Sequence, residues 1–438
     1  CTGPDMARAA VLLAVIALSG ASTSLAAYCH GSPSPSAQPN THPLFTTSPT
    51  LVSTVPNGKL YNAGPAGYEF KLLHVYGTPY EMGFAHGSLL KAEAQQMINA
   101  TMQYMYGQVE SALSGLPTWL RDWVAEVGMD AALDLTYDLT KNYTGAYFYE
   151  EMHGIADGAS VSFDDLRRIH LIGELTQGDC SMFGAWGSAT ASTGHTLQLR
   201  ALDWDTDGPF KNHPAVVVYH PSNNGHPFAN VGFVGWIGTL SGQSSSQLAV
   251  SEIGVSFPDA TFGKESRVGI PFTFLLRDIL QFDNSYEDSI KRIQDATRTC
   301  DLILGVGDGG HETFRGFQYS HSVANVVNDT DLIPVNDTWH PPIDNVVYWG
   351  MDWLCPNYSS VLSRQLQKLH GNLTVANTVE EVVPIVQTGD VHCVVYDLTT
   401  QEMSVSFMRP TNGTGEEMAY DRVFTTLDLD TLFSEPKP

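Results

Sequence analysis

The sequence predicts an α+β protein, and three observations predict it. The segment before Cys180 carries helical periodicity, the segment after it is a series of short apolar runs divided by turn residues, and helical patterns return at intervals among those runs. A regular strand–helix alternation, as a βαβ series requires, is missing, and no internal repeat is visible. At 438 residues, 43% hydrophobic and 16% charged, the chain holds ample apolar material for a core.

The elements follow in order. Met6-Ala7-Arg8, the apolar run Ala9–Leu18 and the small-residue end Leu25-Ala26-Ala27 read as a signal peptide, so 1–27 is a short translation artefact ahead of Met6 followed by that signal. The run is too short to span a bilayer, and no other stretch approaches twenty apolar residues. Residues 28–58, with Ser32-Pro33-Ser34-Pro35-Ser36, predict a disordered Ser/Pro-rich linker. A first strand is expected near Tyr68–Val75. Thr78 then offers an N-cap, Pro79 the first helical position, and Glu81 the capping-box partner of a long amphipathic helix running past Met105. Further helices fit 116–127, 145–157 and 162–176, which makes 59–179 a mostly helical N-terminal subunit or propeptide.

From 180 to 438 the spacing predicts strands at 180–187, 195–202, 215–220, 228–234, 247–254, 301–306, 314–321, 391–397 and 402–408. Helices are expected at 270–282, 285–296, 357–369 and 378–387, and this part is read as one folded domain together with 59–179.

The net charge of -25 argues against nucleic acid and anionic membrane surfaces as partners. A signal peptide followed by seven Asn-x-Ser/Thr sequons (Asn99, Asn142, Asn328, Asn336, Asn357, Asn372 and Asn412) predicts a glycoprotein that is secreted or delivered to a lysosome or vacuole. Among the cysteines, Cys300, Cys355 and Cys393 leave room for one disulfide in such a compartment, with no pairing chosen by the sequence. CxxC spacing is missing, so no metal site and no cofactor are expected.

The chemistry concentrates at Gly178-Asp179-Cys180-Ser181-Met182-Phe183 and at Leu199-Arg200-Ala201-Leu202-Asp203. Between them, residues 189–195 read as a turn, so an antiparallel hairpin brings Cys180 to Arg200 and Asp203 at one edge of a sheet. A thiol beside an orienting charge pair is a nucleophile's setting.

Taken with Gly77-Thr78-Pro79-Tyr80-Glu81-Met82-Gly83-Phe84-Ala85-His86-Gly87, the glycine-rich block Gly235–Gly242 and the ending Ala419–Phe433, these motifs resemble the acyl-coenzyme A:6-aminopenicillanic-acid acyltransferase-like family of self-processing N-terminal-nucleophile cysteine hydrolases. The resemblance covers roughly 68 to 433. It implies a four-layer αββα sandwich of the N-terminal-nucleophile hydrolase type, cut between Asp179 and Cys180. It also implies a thioester formed on Cys180 from a small amide or acyl substrate, with the two processed chains staying together. Arg200 would favour the thiolate and Asp203 would hold Arg200 or the new α-amine. For the oxyanion, Ser244 is the nearest match after the glycine block and Asn345 a later one, with Asp352 competing against Asn345.

Two rival readings remain at this point. One is a non-catalytic secreted glycoprotein that keeps the fold for binding; the other is a Cys/His hydrolase without self-cleavage. Gly305-Val306-Gly307-Asp308-Gly309-Gly310 fits a dinucleotide-binding pattern, yet a strand follows it, so a hairpin turn is the reading. His86 is expected to pack or hydrogen-bond within its helix, and Trp236, Trp349 and Trp353 to form core or pocket walls.

Overall fold

A computed structural model describes residues 35–112, 127–175, 178–191, 194–222, 224–354, 356–411 and 415–438. The described residues open with three antiparallel strands, β1 (Thr50–Val55), β2 (Gly58–Ala63) and β3 (Phe70–Gly77). Helices α1 (Pro79–Leu89), α2 (Lys91–Ala112), α3 (Met129–Thr140), α4 (Ala146–Ala159) and α5 (Phe163–Ile169) follow. Next come β4 (Asp179–Ala185), β5 (Leu197–Asp203), β6 (Pro214–Pro221), β7 (Phe228–Phe233), β8 (Ser241–Ser244) and β9 (Leu248–Gly254). After α6 (Phe272–Phe282) and α7 (Tyr286–Asp295) come β10 (Leu302–Asp308), β11 (Thr313–Tyr319), β12 (Ala324–Val327) and β13 (Val346–Met351). Helix α8 (Pro356–Leu369) and a helical stretch over 375–386 lead to β14 (His392–Asp397) and β15 (Glu402–Phe407). A small ribbon of β16 (Arg409–Thr411) and β17 (Gly415–Glu417) precedes β18 (Thr425–Asp428).

The strands make a ten-stranded sheet, ordered β1-β2-β3-β6-β7-β8-β9-β10-β11-β12, and a six-stranded sheet, ordered β13-β4-β5-β14-β15-β18. Alternation along each strand sends one face to the facing sheet and the other to helices. Leu72, Val216 and Val218 thus meet Val394, Tyr396 and Val405 between the sheets, whereas Leu73, Val75 and Val217 share a core with Met82 and Ala85 of α1. Helices α1 and α6 lie on the ten-stranded sheet, and α8 lies against β13 of the other. The architecture is therefore the expected α+β sandwich with layers in the order αββα.

Two glycine patterns in the sequence are explained by close approach. A Cβ on Gly305 would stand 2.8 Å from the Met182 sulfur, and one on Gly307 2.2 Å from Gln198 Oε1, so these glycines let the two sheets come together. The turn that follows them is the expected hairpin between β10 and β11. In α1 and α4 the contact is backbone to backbone. A Cβ on Gly83 would lie 2.0 Å from the Glu151 carbonyl oxygen, and one on Gly154 2.3 Å from that of Tyr80. The capping box of Thr78 and Glu81 forms as the sequence predicts.

Several expectations are corrected. The disordered linker does not extend to 58, because Asn40 donates to the carbonyls of Tyr420 (3.1 Å) and Arg422 (2.8 Å), and Thr50–Val55 is a paired edge strand. The N-terminal part is not only helical, since it supplies three strands of the larger sheet. Cys300 and Cys393 are both free and buried, so the disulfide expected among Cys300, Cys355 and Cys393 is not formed by either; Cys355 itself lies outside the described residues. The helix expected at 116–127 and the signal segment also fall outside the described residues, 127 excepted. Of the sequons, Asn99, Asn142 and Asn372 are exposed, while Asn328 and Asn336 are partly buried with side-chain oxygens that accept from Thr330 N and Thr338 N. Asn412 lies outside the described residues, and the side chain of Asn357 is likewise not described.

Candidate active site around Cys180

The hairpin forms in the expected register, with Asp179 opposite Asp203, Cys180 opposite Leu202 and Met182 opposite Arg200. It lies inside the sheet, however, and not at its edge, because β13 flanks β4 and β14 flanks β5. Met351, the residue paired with Cys180 on the β13 side, adopts φ 66°, a left-handed conformation that a non-glycine residue adopts at a cost.

Parity decides what meets what. Residues opposite one another in an antiparallel pair share a face, so Cys180, Met182, Arg200 and Leu202 all point between the sheets, and Asp179, Ser181 and Asp203 point the other way. The expected Arg200–Asp203 pair is therefore not a contact. Arg200 instead crosses to the facing sheet, where Nη2 binds Glu252 of β9 and Nε donates to the Leu240 carbonyl at 3.2 Å. Its Nη1 is buried with no partner. Asp203 is held on the helix side by the backbone N–H groups of Gly389 (2.7 Å) and Asp390 (3.0 Å), and by the Thr388 hydroxyl at 2.5 Å.

Burial dominates the electrostatics around Cys180. Burial pushes the Cys180 thiol far up, and the charges of Glu252 and Asp203 add to that, opposed by Arg200 and by the Asp203 N–H aimed at the sulfur. Burial also raises Asp179 to about 7, reinforced by the charges of Asp352 and Asp203, and raises Asp352 to about 6. Asp390 rises to about 8, from burial and then from Asp203. Asp203 and Asp352 thus crowd Asp179, and Asp390 in turn crowds Asp203.

The remaining site candidates separate. Asp352 directly follows the residue opposite Cys180 and accepts from Ser256 N at 2.7 Å. Asn345 sits beyond the far end of β13, where its Oδ1 accepts from Ser188 N at 3.1 Å and Oγ at 2.8 Å; it shapes a loop. Ser244 is at the end of β8 opposite Phe228, away from the Leu240 and Glu252 contacts of Arg200. Both positions are implied by the resemblance alone, which carries no information on how far a strand takes the chain, about 3.3 Å per residue. By register the histidine on the Cys180 face is His392, two strands away, and its Nε2 is taken by Ser241 Oγ at 2.8 Å.

A cavity of about 270 Å³ reaches this end of the hairpin at Gly178, Leu202 and Glu252, and runs past Trp204, Trp236, Leu240 and Phe272 to Cys300 and Asp301. Its Trp236 loop is gripped from the N-terminal helices. His86 Nε2 accepts from Gly235 N at 2.9 Å, and His170 Nε2 accepts from Ile237 N at 2.9 Å. The His170 ring stacks on Trp236, and its Nδ1 bonds the Leu166 carbonyl at 2.7 Å, which fixes the proton on Nδ1. A larger open groove of about 590 Å³ lies elsewhere, beside α6 and α7, and holds none of these residues. Among the described residues one group could gather a metal ion, Glu287, Asp308 and His311, but Asp308 is already engaged in its turn by Tyr286 N and His311.

Sequence reasoning missed Glu252, Thr388 and Asp390. Glu252 had a signal, a lone carboxylate in the apolar strand Leu248-Ala249-Val250-Ser251-Glu252-Ile253-Gly254; the other two sit in a loop with none.

No family model matches the chain. It is 35% identical over 418 residues to protein dcd1A of Dictyostelium discoideum, spanning 90% of this chain and 93% of that one. It is 32% identical to protein dcd1B of the same organism over 416 residues, spanning 91% of this chain and 81% of that one. Among solved structures it is similar to a Caenorhabditis elegans N-acylethanolamine-hydrolyzing acid amidase (NAAA) ortholog, with a TM-score of 0.39 and 18% identity over 50% of this chain and 93% of that one.

Proposed function

The chain belongs to the family of the Dictyostelium discoideum proteins dcd1A and dcd1B, and from there we propose that it is a self-processing cysteine amide hydrolase whose nucleophile is Cys180. The observation that carries this is the placing of Cys180 at the start of a central strand, on one face with Arg200, with a cavity arriving at its partner Leu202. The motifs that resemble the N-terminal-nucleophile hydrolases support it.

In the first reaction the Cys180 sulfur attacks the Asp179 carbonyl carbon. The Asp179–Cys180 amide bond breaks, a thioester forms, and the nitrogen leaves as the α-amine of Cys180. Water then hydrolyses the thioester and frees the Asp179 carboxylate. The uncut thiol is a poor nucleophile because burial holds its proton. The new α-amine, with an ordinary pKa near 8, becomes a base beside it.

In turnover the thiolate attacks the carbonyl of a small amide, the amine departs, and water clears the acyl group. The unpartnered Nη1 of Arg200, on the Cys180 face of the strand, is a donor free to serve the developing oxyanion, a role in which one buried donor contributes about 3 kcal/mol. Hydrolysis is favoured over transfer outside the cell. Exposed sequons at Asn99, Asn142 and Asn372 support a secreted or lysosomal location.

The test is intact mass and N-terminal sequencing of the deglycosylated protein. The expected outcome is a second chain beginning Cys180-Ser181-Met182-Phe183, absent from Cys180→Ala, which is inactive on amides. Normal cutting in Cys180→Ala refutes the mechanism. A single wild-type chain that no acyl electrophile labels favours the non-catalytic reading.

A further inference from the structure

We propose that Thr388 is a positioning residue for the Cys180 reaction: its hydroxyl joins Ser181, the neighbour of the nucleophile, to Asp203 in one directed chain of hydrogen bonds. That chain holds the new chain end and the Asp203 carboxylate in a fixed relation. Its part in catalysis rests on the amide-hydrolase reading; the bonding pattern does not.

Thr388 sits in the loop between the helical stretch over 375–386 and β14. Two left-handed residues flank it and bend the loop, Gln387 at φ 56° and Gly389 at φ 92°. The bend turns three donors onto one carboxylate. The N–H groups of Gly389 and Asp390 donate to Asp203 Oδ1 at 2.7 and 3.0 Å, and the Thr388 hydroxyl reaches Oδ2 at 2.5 Å. The same Thr388 oxygen lies 2.8 Å from Ser181 Oγ, which accepts from Met351 N at 3.2 Å. Thr388 and Ser181 are fully buried and Asp203 nearly so, so bulk water does not compete for these links.

The direction of the chain follows from proton counting. A hydroxyl has one proton to give, and an ionised carboxylate only accepts. Thr388 therefore gives its proton to Asp203 and takes one from Ser181, which takes one from the Met351 N–H. The reverse order would ask Ser181 Oγ to accept from both Thr388 and Met351 while its own proton went to neither. An ionised Asp203 is thus the end that orders the chain. Burial pushes the Asp203 carboxyl up, and the Thr388 hydroxyl is foremost among the groups that pull it back, ahead of the two N–H groups and Arg200. The other titratable groups that feel Asp203 are Asp179 opposite it, Asp390, Cys180, Cys393 and Tyr420. Ser181 pairs with Ala201 on one side and Gly350 on the other, so its hydroxyl adds a side-chain anchor to a strand that the cut would free at Cys180.

The experiment reads the carboxylate and the activity separately. Full-length Cys180→Ala protein carrying carbon-13 in its aspartate carboxyls is titrated by NMR, with the Asp203 signal assigned by its loss in Asp203→Asn. Thr388→Val removes the hydroxyl at nearly constant shape, and the Asp203 midpoint is expected to rise by about one pH unit, as the loss of a hydrogen bond to a charged group implies. Thr388→Ser is expected to restore it. Ser181→Ala breaks the chain one link back and is expected to give a smaller rise of the same sign; it decides the matter if Thr388→Val does not fold. With Cys180 in place, the acid limb of the pH profiles for self-cutting and amide turnover is expected to move up by the same interval, with kcat reduced and KM little changed. An Asp203 midpoint that stays put in both variants would overturn the proposal, because a merely structural hydroxyl changes Tm and leaves the titration alone. A midpoint that moves without the acid limb would overturn the positioning role. A midpoint that moves in a chain whose wild type never cuts would refute the enzyme reading and leave the bonding chain.

Discussion

Arg200 connects the two sheets at the point where the chemistry is placed. Its guanidinium is fully buried and depends on one carboxylate, so Glu252→Gln leaves a buried charge without its counter-ion. Urea unfolding of Glu252→Gln in the Cys180→Ala background is expected to show a loss of about 3–5 kcal/mol. The carboxyl cluster makes a separate prediction. Asp179 and Glu174 sit at about 7 and Asp390 at about 8 in the fold, against about 4 in an unfolded chain. The folded chain therefore holds more protons in that interval, and its stability falls as pH rises through 7 to 8. Burial lowers His86 and His170 to about 3 and about 4, which acts in the opposite sense but only below about 6.5. Calorimetry of Cys180→Ala is expected to give a lower Tm at pH 8.5 than at pH 6.5, with the difference reduced in Asp390→Asn. At this scale the sequence showed Cys180, Arg200 and Asp203 because a turn of fixed length set their register. Strand alternation alone already places Asp203, three residues on, on the face opposite Arg200; what the sequence could not show is that the Arg200 face meets Glu252 of the other sheet.

Among the elements, α1 and α4 cross where neither helix has side chains to separate the backbones. Gly83→Ala puts a methyl group into the Glu151 carbonyl, and a loss of about 3 kcal/mol or more is expected in urea unfolding, the upper end for overpacking. That crossing sets the height at which His86 meets the Trp236 loop. His170→Phe keeps the stacking on Trp236 but strands the Ile237 N–H, at a cost of about 1–3 kcal/mol. His170→Gln, which keeps an acceptor at a similar reach, is expected to restore most of it and to bring the KM for an amide substrate back toward wild type. The start of α1 was legible because its capping box is written in four adjacent residues. The edge strand β1 was not, because its exposed face has no alternation to read, and β8 is only four residues long.

For the whole molecule, the class was legible in the sequence and the strand order was not, since order depends on partners far apart in the chain. The largest surprise is β3. It joins the sheet by parallel pairing with β6, from Lys71 opposite Ala215 to Gly77 opposite Pro221. The hydrogen bonds of that ladder bind the residues before Asp179 to those after Cys180. Size-exclusion chromatography and native mass measurement of the cut protein are therefore expected to show one species containing both pieces, which part only in denaturant. The ladder has a consequence for recovery after damage. An uncut chain refolds by an internal search, at a rate independent of its concentration. Once the bond before Cys180 is broken, closing the same sheet needs two molecules to meet, so regain of the native state slows in proportion to dilution. A cut molecule that unfolds in dilute solution would in practice be lost, and its lifetime would be governed by how slowly it opens.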